Sequence, residues 1–295
     1  MRPFESFSPR KQPRFNRRAG TAILSLAVCL SAISSAQSEI PSTSRLVSAT
    51  VAYVSNYQET FKFLIADETS AQRVMSPAGS DGPSETRTTR GELFITYLAV
   101  ERQWTVVHDV AEVDGVPVAD REDLATLIGQ GTMSSVARRI FDRNARFNIG
   151  RVRRNFNDPM LALLPFTEER RSRFSFSRKS VARDGQGLTA ITIGFQERER
   201  PTIVRDVGGR SVFAKGEVVV DAATGAIRKT SISFQDNDIG AELTTEFAFD
   251  NKLQLWVPVT FSERYTASRN RQPDVTTVQS QFSNYRRFEA TGRLR

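Results

Sequence analysis

The sequence predicts an α+β protein, mainly antiparallel β: a curled open sheet, or half-barrel, of about eight to eleven strands covered by a few helices. Three observations predict it. From Arg173 to Phe288 apolar and polar residues alternate in long runs joined by short turns, the period of a strand with one buried face. A helical period appears only near residues 44 to 58 and 121 to 164. A sheet of that size has to cover its apolar concave face, and those helices are the available cover.

Residues 1–36 read as a secretory leader, set apart from the fold. Arg2, Arg10, Lys11, Arg14, Arg17 and Arg18 precede an uncharged apolar run from Ala19 to Ala36. Ser34-Ser35-Ala36 supplies the small residues of a cleavage site, so cleavage is expected after Ala36. The alternative is an uncleaved anchor that would associate the protein with a membrane. Arg17-Arg18 lacks the bulky apolar residues that a twin-arginine signal prefers, and Val28 is too large for a lipidation box before Cys29. The expected location is periplasmic or secreted.

Removal of the leader changes the charge and the cysteine count. The full chain of 295 residues carries 41 basic and 33 acidic residues; the part from 37 to 295 keeps 35 and 32, a net +3. The high isoelectric point is therefore no sign of a nucleic-acid partner. Cys29 is the only cysteine, so the remaining chain forms no disulfide and offers no thiolate, and a hydrophobic core has to stabilise it.

Within 37–295, read as one domain, Leu46, Val47, Val51, Val54 and Tyr57 fall at helical spacing behind the capping residues Ser42, Thr43 and Ser44. Phe61 to Val74 is extended, and Ser76 to Thr86 is a turn-rich loop. Strands follow at Gly91–Val100 and Trp104–Val113, with Asp114-Gly115 as a tight hairpin turn. Asp120 opens a short helix bearing Leu124, Leu127 and Ile128, and a second helix covers Ser134 to Asn148. Asp158-Pro159 starts a helical turn through Leu161 and Leu164. From Arg173 the strands run to Phe288, turning at Gly225 and at Asp250-Asn251.

Some of these residues also carry a resemblance. Arg90–Leu98, Trp104, Asp109–Arg121, Ala145–Arg154, Leu255–Val259 and Phe282–Phe288 resemble segments of a family of exported bacterial proteins without an assigned activity. That likeness runs from Leu46 to Phe288. More distantly, the strand alternation and the hairpin Gly216–Gly225 resemble periplasmic lipoprotein carriers of the Lol type and envelope-stress regulators that share their half-barrel. What the resemblance implies is a fold and, by analogy, a lipid, lipoprotein or envelope-protein partner.

The candidate chemistry is sparse. His108 is the only histidine and stands beside Asp109, but no Gly-x-Ser-x-Gly elbow accompanies it, so it reads as a strand residue. Asp109, Glu112, Asp114, Asp120, Glu122 and Asp123 form an acidic stretch whose spacing fits no calcium loop and reads as turns and caps. Asp236–Gly240 starts like an EF-hand loop but lacks its glycine and final glutamate, and reads as a turn. No metal or cofactor is expected.

Two features point to binding. Residues 134–179 hold twelve Arg or Lys against four acids, a +8 block that includes Arg138, Arg139, Arg143, Arg146, Arg153 and Arg154. Such a patch suits an anionic partner, or pairs with the acidic stretch before it. Phe94, Phe176, Phe195, Phe247, Phe249 and Phe261 sit at alternating strand positions and line the concave face, either as core or as a pocket for an acyl chain. Three functions follow. The first is a non-enzymatic binding protein for a hydrophobic or lipidated ligand. The second is an envelope interaction or regulatory module with a filled core. The third is a hydrolase that uses Asp109, Glu112 or Asp114.

Overall fold

The computed structural model describes residues 40–61, 63–75, 85–122, 126–127, 132–152, 154, 157–184, 187–206, 208–236, 239–269 and 272–287. The leader, the loop after Met75, most of the short helix expected after Asp120, Arg153, and Asn237-Asp238 lie outside these residues.

Helix α1, Thr43–Thr60, starts where its caps predict, with the Ser42 hydroxyl accepting from the Arg45 amide at 3.3 Å. It buries Leu46, Val47, Val51, Val54 and Tyr57, the stripe expected from their spacing. Strands β1 (Leu64–Met75), β2 (Thr86–Leu98), β3 (Gln103–Val113) and β4 (Val116–Pro117) follow. Asp114 (φ 49°) and Gly115 (φ 82°) form the hairpin between β3 and β4, the left-handed pair that Asp-Gly favours. Helix α2, Met133–Asn144, ends four residues before the expected boundary and continues as a 3-10 turn, Ala145–Phe147. A second 3-10 turn, Leu161–Phe166, is wholly buried.

The remaining strands are β5 (Phe174–Asp184), β6 (Gly187–Glu197), β7 (Val204–Arg205), β8 (Ser211–Val212), β9 (Ala214–Asp221), β10 (Ile227–Gln235), β11 (Ile239–Asp250), β12 (Leu255–Arg269) and β13 (Gln272–Arg287). Among the described residues, eleven strands form one open antiparallel sheet in the order β4-β3-β2-β1-β13-β12-β11-β10-β9-β6-β5, and β7 pairs with β8 separately. First and last strands pair in its interior, Ser70 opposite Ser280, and the sheet does not close.

The sheet curls around α1. Phe61, at the end of α1, packs edge-on against Trp104 of β3, while Pro41, before its start, accepts a hydrogen bond from Arg178 of β5. Those strands lie nine steps apart in the order, about 43 Å if the sheet were flat. The twenty steps along the chain from Pro41 to Phe61 cover only about 30 Å as a helix. Curvature brings both strands within reach of one helix.

The two helices do not share a face, contrary to the expectation that both cover the concavity. Leu64, Ala66, Leu93, Ile95 and Trp104 join α1 and Leu161–Phe166 in the main core. Ile65, Phe94 and Val107, the alternate residues of the same strands, form a second cluster with Val136 and Ile140 of α2 and with Leu127. Successive strand residues point to opposite faces, so β1–β3 are apolar on both sides and need cover on both. Phe94 therefore faces α2, away from the concave face on which it was expected.

The packing above β9 depends on one absent side chain. A Cβ on Gly216 would fall on the Ser231 carbonyl oxygen and lie 2.6 Å from Cζ of Phe195. Gly216→Ala is expected to cost about 1–3 kcal/mol, since a backbone carbonyl and a packed ring yield only by distorting the sheet. Urea unfolding tests this: an unchanged midpoint would mean that the Phe195 ring does not rest on that glycine.

Candidate functional site

On the concave side of β1, the face that begins with Leu64 and Ala66 turns polar: Glu68, Ser70 and Gln72 follow, all buried. His108 of β3, Glu263 of β12 and Ser280 of β13 face the same space, and Arg154 reaches it from the segment after α2. Together they line a cavity of about 70 Å³, room for a few waters.

The hydrogen bonds fix the state of His108. Nδ1 lies 2.8 and 2.9 Å from the two Glu68 carboxylate oxygens, and Nε2 lies 2.9 Å from the Asn157 carbonyl oxygen. Both neighbours are acceptors, so both ring nitrogens donate and the ring is an imidazolium. Burial opposes that charge, but Glu68, the Asn157 carbonyl and Glu263 outweigh it and raise the pKa to about 9. An imidazolium has no lone pair with which to act as a general base. It does tie β3 to β1 and to the chain entering the core.

That chain is secured by further bonds. The Asp158 carboxylate accepts from the Met160 amide at 2.7 Å, a local turn that leads into Leu161–Phe166. Burial pushes its pKa up to about 6, against the Met160 bond and the charge of His108. Thr245 of β11 donates to the Pro159 carbonyl at 2.8 Å. Arg154, only 3 % exposed, donates to Gln72 Oε1 at 2.7 Å and to Asn148, and lies 3.8 Å from Glu263. The Tyr265 hydroxyl donates to Glu263 at 2.5 Å. Burial raises the Glu263 pKa despite Arg154, Tyr265 and His108.

The residues singled out in the sequence separate into several places. Phe195, Phe247 and Phe261 are buried in the main core with Phe176 packed against it, whereas Phe249 is 42 % exposed and tilts against Trp256. Of the arginine block, Arg139 pairs with Glu122, Arg143 with Asp109 and Arg146 with Asp120, each at 2.5 Å. Arg138 is exposed, Arg154 is in the cavity wall, and Arg153 lies outside the described residues. The acids are dispersed as well. Asp109 is buried between Arg121 and Arg143, and burial raises its pKa against both. Glu112 lies 3.8 Å from Arg90, and Asp114 accepts from the Thr88 amide in the hairpin. Among the described residues no three His, Cys, Asp or Glu side chains stand where they could hold a metal.

Glu68, Gln72, Asn157 and Glu263 were not singled out by sequence. A signal was present: Glu263 lies between Phe261 and Tyr265 in the apolar phase of its strand, and Glu68 follows Leu64 and Ala66 in the same way. A charged residue in phase with a buried face marks a paired interior group.

The fold defines an open antiparallel half-barrel filled from its concave side. No family model and no curated protein matches the chain. Solved structures with matches include a putative outer membrane lipoprotein-sorting protein domain from Vibrio parahaemolyticus, with 10 % identity over 81 % of this chain and 91 % of that one, TM-score 0.32. A DUF1329 family protein from Desulfovibrio piger matches with 8 % identity over 85 % and 95 %, TM-score 0.37. The Pseudomonas aeruginosa MucA/MucB complex matches with 8 % identity over 82 % and 99 %, TM-score 0.19. These are of the kinds to which the sequence resemblance pointed. At such scores the likenesses say nothing of activity, ligand or partner.

Proposed function

We propose that this chain is an exported, non-enzymatic interaction protein of the cell envelope, a half-barrel whose concave face its own residues fill. The observation that carries the reading is the occupied concavity. Tyr57 and Phe61 of α1 and the whole turn Leu161–Phe166 are buried against the sheet, where an acyl chain would otherwise lie. Phe166 packs its ring tilted against Phe176 and edge-on against Phe195. Export rests on the leader 1–36. The dispersal of Asp109, Glu112 and Asp114 among separate partners speaks against a carboxylate hydrolase built on them, because such chemistry needs two acids converging on one bond.

Native mass spectrometry on residues 37–295, produced by export, tests this. The expected spectrum shows the bare protein mass, unchanged after incubation with lipid extract. A co-purifying lipid would overturn the filled-core reading and restore the hydrophobic-ligand reading of Phe176, Phe195, Phe247, Phe249 and Phe261.

A further inference from the structure

The two edges of the sheet are treated differently by the chain. At one edge β4 is two residues long, and Asn144 of α2 donates its side-chain amide to the part-buried His108 carbonyl of β3 at 2.5 Å. At the other edge stands β5, eleven residues long. Among the described residues, apart from the Phe174 N–H that closes onto the Arg171 carbonyl at the start of the strand, no backbone hydrogen bond from outside the sheet reaches residues 175–184. In an antiparallel ladder every second residue of an edge strand directs its N–H and C=O outward, so β5 offers a row of free donors and acceptors.

The edge is also basic. Ser177 to Ser180, Ala182 and Arg183 are exposed, and Arg178, Lys179 and Arg183 project from the strand. Lys179 lies with its stem over Gly194 of β6, and with Arg198 and Lys215 of β9 it lines an open groove that runs from β5 across the face of the sheet to β10 and in which Glu217 is the acid. Arg178 and Arg198 bond to uncharged oxygens, the Pro41 carbonyl and the Ser175 hydroxyl. Among the described residues no carboxylate forms a salt bridge with any of these five cations. Arg139 and Arg143 of α2 and Arg146 of the 3-10 turn after it differ in this, since each has an acid partner within the chain.

We infer that β5 is a docking edge for an extended acidic polypeptide segment, added to the sheet as a twelfth, antiparallel or parallel, strand. The inference rests on the interaction reading above and names the partner class for it. Backbone bonding supplies attachment, and the five cations supply the preference for acidic side chains. A second copy of the chain is the poorer occupant. Pairing β5 with itself would bring Arg178, Lys179 and Arg183 against their own like charges, which is the device by which edge strands avoid one another.

The test uses residues 37–295 and three labelled twelve-residue peptides: alternating Val-Glu, alternating Val-Lys, and the Val-Glu peptide N-methylated throughout its backbone. Fluorescence anisotropy should show binding of the Val-Glu peptide alone. Hydrogen exchange should slow in residues 174–183 on its addition. The exposed triple substitution Arg178→Glu, Lys179→Glu, Arg183→Glu should weaken that peptide at least tenfold and favour Val-Lys. Equal binding of the N-methylated peptide, binding without protection of β5, or equal binding to anionic phosphatidylglycerol vesicles would overturn strand addition. So would protection of β5 by self-association in the absence of peptide. If the peptides fail while native mass spectrometry gives the bare mass, the docking edge falls and the filled core stands. A lipid adduct overturns the filled core whatever the peptides do.

Discussion

Arg154→Met is expected to destabilise the protein by about 3–5 kcal/mol at pH 7, the cost of removing one member of a buried charged pair. Arg154 and Glu263 are each 3–4 % exposed, and the guanidinium also satisfies Gln72 and Asn148. Methionine fills similar volume but leaves the Glu263 carboxylate with the Tyr265 hydroxyl as its remaining hydrogen-bond donor of note. For a domain of this size the loss corresponds to a fall in Tm of about 10 °C. The deficit should narrow toward pH 5. Burial already raises the Glu263 pKa, and without the cation it rises further, so the variant relieves its unpaired charge by taking up a proton. Arg146→Met is the control, because its pair with Asp120 is solvent-exposed and should leave Tm unchanged. Equal melting of Arg154→Met and the parent at pH 7 would mean that the cavity network does not hold the fold.

The second large effect is a loss of stability on the alkaline side of neutrality. His108 has a pKa of about 9 in the folded chain against 6.5 for an ordinary histidine. The folded state therefore binds more protons than the unfolded one between these values, and stability falls as pH rises. The stabilisation is complete below pH 6.5 and gone above about 9; at 1.36 kcal/mol per unit it amounts to about 3 kcal/mol. Asp158 acts in the same direction at lower pH. Its folded pKa of about 6 lies above the usual 3.8, so the stability it contributes is present below 3.8 and lost as pH rises through 6. Denaturant midpoints from pH 5 to pH 9.5 measure both. In His108→Gln, which keeps a donor for one neighbour but carries no charge, the fall between 6.5 and 9 should vanish. A parent midpoint that stays level across that window would show that His108 is not charged in the fold.

Much of the architecture was legible in local pattern. The 3.6-residue spacing of Leu46 to Tyr57 marked α1, Asp114-Gly115 marked a turn that requires two left-handed residues, and the alternation after Arg173 marked the long strands. Each of these depends on residues close in the chain, so sequence alone carries them. The face covered by α2 was not read, although the uninterrupted run Leu93-Phe94-Ile95 is the mark of a strand buried on both sides. The candidate site was still less legible. Glu68 and His108 are 40 residues apart and Arg154 and Glu263 more than 100, so their pairing depends on register between strands that no local period encodes.

Local pattern is enough to specify a large antiparallel sheet with a few covering helices, because side-chain periodicity decides which face of each element leaves water. The sequence also contains the charges from which any interface has to be built. Which partner each charge meets was settled by the folded arrangement. It set Arg139, Arg143 and Arg146 against acids of the preceding stretch, enclosed His108 with Glu68 and Arg154 with Glu263, and, among the described residues, left the cations of β5 and its groove without acid partners. It also decided that α1 and Leu161–Phe166 occupy the concavity. The physical reason is common to all of these. A charge or an apolar surface acts on whatever lies within a few ångströms, and the folded path of the chain, not its order, determines what that is.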